Sequence, residues 1–174
     1  AMKSELKLDV RPVAVASGRA LEIMDHRDAD VGFTHDPEAE RKYRDKGTFA
    51  DYRKVMYNDF IIAGPSDDPA KIKAASSAVD AMGRIADSHI AFASRADSSG
   101  THPRELLLWK NAGRRPAGGQ YLEIGQGMSA TLRIASERQA YVLTDRATFT
   151  QFASGLRLSL LYEADDILIN TYAV

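Results

Sequence analysis

Cysteine is absent from all 174 residues of the sequence. Disulfide bonds, cysteine zinc sites and thiol nucleophiles are therefore excluded. Apolar runs are short, and none approaches the ~20 residues that a membrane-spanning helix needs. The first residues, AMKSELK, contain no apolar signal segment, so we expect no signal peptide in this chain.

Neither sign of charge is in excess. Lys and Arg number 23 against 24 Asp and Glu, which gives a net charge of −1 at pH 7. This balance excludes a generally polybasic protein, so we expect no nucleic-acid partner and no binding to an acidic membrane surface. The hydrophobic share of 44% is ordinary for a globular chain. The length fits one domain or two small lobes.

Segments typical of strands alternate with segments typical of helices. Strands are predicted over 6–15, 30–33, 54–63, 90–93, 141–143 and 167–174. Helices are predicted after Ser17-Gly18, after Asp36-Pro37, from Asp68-Pro69 through residue 75, after Ser77, over 101–112, after Gly127 and over 147–153. The alternation indicates an α/β fold with mostly parallel sheets, whose ligands bind where strands end and helices begin.

Two such units fit the length of the chain. We expect residues 66–142 to form one lobe and residues 1–63 and 143–174 to form the other. The chain would cross between the lobes near Gly64-Pro65 and near Leu143, and these crossings would form the hinge.

Residues 94–101, Ser-Arg-Ala-Asp-Ser-Ser-Gly-Thr, form the most informative segment. They follow an apolar strand and precede a predicted helix, whose first N–H groups are unpaired and carry a partial positive charge. Gly100 leaves the backbone open, and the planar fork of Arg95 suits a tetrahedral oxyanion. The segment therefore indicates an anion site. A Ser/Thr-rich helix cap beside an exposed arginine is an alternative explanation.

Two other junctions place a hydroxyl between a strand and a helix. They are Ser17-Gly18 and Thr144-Asp145-Arg146. Each alone is typical of a helix N-cap, but together with residues 94–101 they fit one cleft lined by helix starts from two lobes.

The sequence shows no pattern typical of a catalytic site. No Gly-x-Ser-x-Gly nucleophile elbow occurs, and no residue that could act as a general base lies at a catalytic spacing from a serine, so we do not expect an enzyme. The four histidines lack metal-ligand spacing, so no metal site is expected.

Several blocks resemble the tungstate-binding proteins of ABC importers, which have the type II periplasmic-binding fold. The blocks are VASGRAL from residue 15, DADVGFTHDPEAE from 28, VMYNDFIIAGPSDDPAKI from 55, FASRADSSGTHPRELLLW from 92, GQGMSATLRIA from 125, YVLTDRATF from 141 and a final NTYAV. They keep the family's order and cover nearly the whole chain. Molybdate and phosphate binders share the fold, and phosphate binders have a similar Arg-Ser-Asp-x-Ser-Gly-Thr loop.

The resemblance implies a set of site residues. The candidate ligand-binding residues are Ser17, Gly18, Ser94, Arg95, Asp97, Ser98, Ser99, Gly100, Thr101 and Thr144. Asp97 is expected to brace Arg95 or the loop amides rather than to touch a dianion. The resemblance also implies an incomplete first lobe, because the family begins earlier, with a strand and a Thr/Ser-rich loop, and continues into C-terminal helices.

The function that the resemblance implies is capture of tungstate, or of molybdate, for an ABC importer. It implies a small oxyanion as ligand, the importer's permease as partner, no cofactor, and a periplasmic or extracytoplasmic location. Self-association through the incomplete first lobe is also expected. The alternatives are a phosphate-binding protein, an intracellular oxyanion sensor and a truncated remnant that does not bind.

Overall fold

The computed structural model describes residues 9–15, 17–97 and 99–174. Its helices are α1 Ser17–Asp25, α2 Pro37–Asp45, α3 Ala78–Asp87, α4 Thr101–Ala112, α5 Met128–Arg138 and α6 Arg146–Phe152. Its strands are β1 Lys54–Gly64, β2 Phe92–Ser94, β3 Tyr121–Glu123, β4 Tyr141–Asp145, β5 Ser159–Tyr162 and β6 Ile169–Ala173. No helix within these residues has the length and apolar character needed to cross a membrane.

The long strand β1 organises the sheet. The strand order is β3-β2-β4-β1-β5, and β6 also pairs with β1. The expected parallel pairing holds for β2, which is parallel to both β3 and β4. β1 departs from it, because it runs antiparallel to β4, β5 and β6. Its first half, residues 54–59, pairs with β6, and residues 60–64 pair with β4 and β5.

Two apolar clusters cover the two faces of the sheet. Because successive side chains of a strand point to opposite faces, Ile62 packs in one cluster and Ile61 in the other. The first cluster joins the sheet to α3 and α4 through residues such as Met82 and Trp109. The second joins it to α5 and α6 through residues such as Leu132. The buried members of both clusters all lie between residues 60 and 168.

The predicted starts of two helices and the predicted end of a third are confirmed. The Asp36 carboxylate accepts a hydrogen bond from the Ala39 amide at 3.1 Å, which caps α2. The Ser77 hydroxyl accepts one from the Asp80 amide at 3.0 Å, which caps α3. Gly113 ends α4 with a φ of 70°, in the left-handed region that glycine adopts without strain.

Two strands predicted for the first lobe are wrong. Residues 9–15 and 31–33 have no regular structure, and the rest of the first predicted strand lies outside the described residues. Pro12 has no backbone N–H group, so it cannot donate the hydrogen bond that a central strand would need at this position. Val13 and Val31 are 73% and 70% exposed, so these two side chains do not contribute to the core. The residue that follows 31–33, Thr34, forms an isolated antiparallel bridge with Ala173 of β6.

The helix predicted from Asp68 through residue 75 is a single 3-10 turn, Ile72–Ala74. The Asp68 carboxylate does cap this turn, accepting hydrogen bonds from the Ile72 and Lys73 amides. However, Asp68 and Lys71 have φ angles of 47° and 56°. Left-handed residues interrupt a right-handed helix, so the capping signal is followed by a turn instead.

Two short strands, β3 and β5, were not expected from the sequence. β5 pairs with residues 62–64 of β1, and its Leu161 packs in the same cluster as Phe92. This part of the segment 143–174 therefore belongs to the same sheet as β2 and β3 of the segment 66–142. The division into two lobes stays a prediction.

Candidate functional site

An open cleft of about 690 Å³ lies where four helices begin. Its lining residues at these helix starts are Ser17 and Gly18 of α1, Asp36 before α2, Gly100 before α4 and Thr101 in it, and Asp145 before α6 and Thr148 in it. The first N–H groups of a helix have no partner within the helix and carry partial positive charge. The cleft therefore gathers backbone and hydroxyl donors, which is the chemistry of an anion site.

Arg95 is the one arginine that lines this cleft among the described residues. Its Nε donates to Oδ2 of Asp97 at 2.8 Å. The other oxygen of Asp97 accepts hydrogen bonds from the amide and the hydroxyl of Ser99. Burial opposes ionisation of Asp97, but the hydrogen bonds from Ser99 and the charge of Arg95 outweigh it and lower the pKa of the carboxyl. Asp97 thus holds both Arg95 and Ser99 in place.

His35 contributes to the cleft from the segment before α2. Its amide donates to the Ser17 hydroxyl at 3.3 Å, and its ring stacks on Tyr172 with 4.9 Å between ring centroids. The ring also lies against Gly100, where an added Cβ would be 2.0 Å from Cε1 of His35. Gly100 is therefore needed for this close approach between the start of α4 and the His35 ring.

A pair of hydrogen-bonded asparagines adjoins the His35 ring. Oδ1 of Asn170 lies 3.2 Å from Nδ1 of His35. Nδ2 of Asn170 donates to Oδ1 of Asn58 at 2.8 Å. Asn58 and Asn170 face each other in the β1–β6 register, so the pairing of these strands positions the ring.

The structure brings most of the predicted site residues together. Seven of them line the cleft, namely Ser17, Gly18, Arg95, Asp97, Ser99, Gly100 and Thr101. Ser98 lies outside the described residues. Ser94 and Thr144 are fully buried and are not among the residues that line the cleft.

Ser94 belongs to a buried network under the loop. Its hydroxyl donates to Oε2 of Glu105 at 2.8 Å. Trp109 Nε1 and the Tyr121 hydroxyl donate to the other oxygen of Glu105. Burial raises the pKa of Glu105, and burial together with Glu105 raises the pKa of Tyr121 to about 12. The network ties Ser94, at the end of β2, to α4, and Ser94 is not among the residues that line the cleft.

Thr144 and Arg146 do not line the cleft, and their side chains bind other residues of the protein. The Thr144 hydroxyl donates to the Asp145 carbonyl at 3.3 Å. Arg146 pairs with Asp59 and Glu163, and hydrogen bonds from it to both carboxylates raise its pKa. The third predicted junction therefore supplies Asp145 and Thr148 to the cleft instead of Thr144.

Sequence reasoning missed several lining residues. They are His35, Asn58, Asn170, Tyr172 and Thr148. A signal for two of them was present, because Asn58 and Asn170 are polar residues inside apolar strand segments. No pattern in the sequence indicated that these two strands pair, so the link between Asn58 and Asn170 could not be predicted.

A second cavity of about 650 Å³ lies between residues 27–34, residues 47–53 and the end of β6. Its buried carboxylate, Glu40, accepts hydrogen bonds from the Thr34 hydroxyl, the Asp36 amide and the Tyr52 hydroxyl. These bonds occupy both oxygens of Glu40. The group therefore stabilises the segments around α2.

Comparison with known proteins identifies the family. The family model described as PBP superfamily domain matches residues 2–173. The chain belongs to this family. The tungstate-binding protein TupA of Peptoclostridium acidaminophilum is 38% identical over 169 residues, 96% of this chain and 59% of that protein. A putative ABC transporter anion-binding protein of Haloferax volcanii is 41% identical over 170 residues, 95% of this chain and 50% of that protein.

Solved structures agree with these relatives. The crystal structure of the tungstate ABC transporter from Geobacter sulfurreducens matches with a TM-score of 0.80 and 40% identity, covering 99% of this chain and 73% of that one. The α/β, type II periplasmic-binding fold that the motifs resemble is confirmed. The chain spans 50–59% of the length of the two curated relatives described above.

Proposed function

We propose that this protein binds a tetrahedral oxyanion, tungstate with molybdate as its close analogue, in the cleft between the starts of α1 and α4. The observation that carries the proposal is Arg95, held by Asp97 among the hydroxyls and helix starts of the cleft. A fixed cation and several donors in one concave site stabilise a dianion once water is displaced.

The carboxylates that line the cleft bear on the choice between tungstate and phosphate. Phosphate still carries a proton at neutral pH and needs a carboxylate to accept it, whereas tungstate only accepts hydrogen bonds. Asp97 lines the cleft, but both its oxygens already accept hydrogen bonds from Arg95 and Ser99. Asp36 and Asp145, the other lining carboxylates, cap α2 and α6 with one oxygen each, so the second oxygen of each can accept the proton of phosphate. Phosphate remains the alternative ligand.

The wider role we propose is that of the solute-binding component of an ABC importer. The relatives are named as binding proteins of transporters, which supports an importer permease as partner and a place outside the cytoplasm. It also supports a binding function without catalysis. The intracellular sensor and the non-binding remnant are the alternatives to this role.

A panel of anions tests the proposed ligand. Thermal unfolding would be followed with tungstate, molybdate, sulfate or phosphate at one pH and one ionic strength. Tungstate and molybdate are expected to raise the midpoint, because a ligand that binds only the folded state stabilises it. Sulfate controls for a general anion effect. A phosphate shift as large as that of tungstate would favour the alternative ligand, and no shift with any anion would favour the remnant.

A further inference from the structure

We propose that His35 contacts the bound oxyanion as an imidazolium, so that anion binding near neutral pH takes up a proton. This inference rests on the proposed function, because it adds a residue to the same cleft and gives that cleft a pH dependence. The argument starts from the hydrogen bond at one ring nitrogen and its consequence for the other.

The Asn58–Asn170 pair determines which nitrogen of His35 donates. Nδ2 of Asn170 donates to Oδ1 of Asn58, which places the Oδ1 atom of Asn170 toward Nδ1 of His35 at 3.2 Å. An amide oxygen can only accept a hydrogen bond. Nδ1 of His35 therefore carries a hydrogen, and in the neutral ring Nε2 has none.

The second nitrogen, Nε2, has no hydrogen-bond partner among the described residues. In the neutral ring it presents a lone pair, which repels the oxygen of a fully deprotonated oxyanion. Protonation turns the same atom into a charged donor. The anion and a proton on Nε2 therefore stabilise each other, and by linkage each promotes binding of the other.

The position of the ring suits this role. His35 lines the cleft with Arg95 and Thr101. Cε1 of the ring faces Gly100, before the first residue of α4, where an added Cβ would lie 2.0 Å from Cε1, 2.7 Å from Nδ1 and 3.0 Å from Nε2. An oxyanion held by the start of α4 is thus adjacent to the ring.

The other charged and titratable groups around the ring come from each element that forms the cleft. They are Asp36 beside His35, Tyr172 of β6, Arg95 and Asp97 of the loop before α4, and Asp145 before α6. These groups are three carboxylates, a guanidinium and a phenol. A dianion bound beside the ring adds negative charge, which favours the charged form of an imidazole.

Calorimetric titration with tungstate in two non-oxyanion buffers of different ionisation enthalpy measures the protons taken up. At about pH 7.5 the wild type is expected to take up a substantial fraction of one proton per bound anion, up to about one. His35→Gln keeps a polar side chain without a titrating nitrogen and is expected to bind more weakly with little uptake. His89→Gln changes an exposed histidine of the α3–β2 turn and is the matched control, expected to match the wild type.

The outcomes separate the two proposals. Binding by the wild type without proton uptake, or equal uptake by His35→Gln, overturns the role of His35 while the proposed function stands. No binding by the wild type at any pH overturns the proposed function itself. A circular dichroism spectrum of His35→Gln that matches the wild type excludes misfolding as the cause of weaker binding.

Discussion

Nε of Arg95 lies 2.8 Å from Oδ2 of Asp97, two residues further along the loop. This ion pair is about three-quarters buried, with side-chain exposures of 22% and 24%. It fixes a cation beside the start of α4 and, through the second oxygen of Asp97, also holds Ser99. Arg95, Asp97 and Ser99 are therefore held in place by their mutual hydrogen bonds, which lowers the entropy cost of binding an anion.

The contact between Gly100 and His35 predicts the effect of a single methyl group. In Gly100→Ala, the new Cβ would lie 2.0 Å from Cε1 of His35, so the ring must leave its place beside Asn170. We expect a loss of about 1–3 kcal/mol in the free energy of unfolding and weaker tungstate binding. Chemical denaturation and titration measure the two effects. Gly119→Ala is the control, because no atom lies within 4 Å of its added Cβ.

The network of Glu105 predicts unequal effects of two substitutions. Glu105→Ala leaves the donors Ser94, Trp109 and Tyr121 without their acceptor and is expected to cost about 2–5 kcal/mol of stability. Glu105→Gln keeps an acceptor oxygen and removes the buried charge, so it should cost less. Denaturation curves of both variants measure this, and equal losses would contradict the network.

The raised pKa of Glu105 also predicts a pH dependence. Burial raises the folded-state pKa above the unfolded value, so the folded state binds more protons between the two values. The contribution of this group is therefore greatest below the unfolded pKa and is lost as pH rises through the folded pKa. The stability difference between the wild type and Glu105→Gln should shift against the wild type as pH rises across that window. Asp97 acts in the opposite direction, since its pKa is lowered, and the difference between variants cancels its effect.

Exposed apolar side chains in the predicted first lobe favour self-association. Phe33, Met56 and Tyr57 are 52%, 52% and 76% exposed, and exposed apolar surface is commonly covered by another chain. We expect light scattering to show a concentration-dependent dimer or larger species. Tyr57→Lys should reduce it, whereas Leu106→Lys, at an exposed position of α4, should not. A monodisperse wild-type monomer over the whole concentration range would contradict this prediction.

The same distribution of burial predicts unequal amide exchange. The two apolar clusters draw their buried members from residues 60–168, so β2, β4 and α3 should exchange slowly. Residues 17–57 contribute few buried side chains, and α1 and α2 should open more often. Hydrogen exchange followed by mass spectrometry measures both regions in one experiment. Equal protection of the two regions against exchange would contradict this prediction.

Local signals in the sequence predicted much of the fold. The caps at Asp36 and Ser77 and the stop at Gly113 depend on hydrogen bonds within a few residues, so a sequence pattern is sufficient to find them. The strands predicted for residues 9–15 and 30–33 did not form, because a strand forms only with a partner and an alternating sequence alone does not supply one. The helix predicted after Asp68 did not form because the capping residue Asp68 and Lys71 both have left-handed backbone angles.

The site was predicted in part. Arg95, Asp97, Ser99 and Thr101 lie within eight residues at one helix start, so the loop could be recognised as a unit. The burial of Ser94 against Glu105 could not be predicted from the sequence, because it depends on the packing of α4 against β2. His35 was missed because its position depends on the pairing of β1 with β6, which joins residues more than 100 positions apart, such as Asn58 and Asn170.

Calorimetric titration of Arg95→Ala with tungstate tests the central claim most directly. Arg133→Ala, an exposed arginine in the middle of α5, is the matched control. If Arg95 binds the oxyanion, its removal should cost a charge-assisted contact worth about 1.5–3 kcal/mol, a loss of about 10- to 100-fold in affinity, while Arg133→Ala binds as the wild type does. Unchanged affinity of Arg95→Ala, with tungstate still bound, would contradict the assignment of this cleft as the anion site.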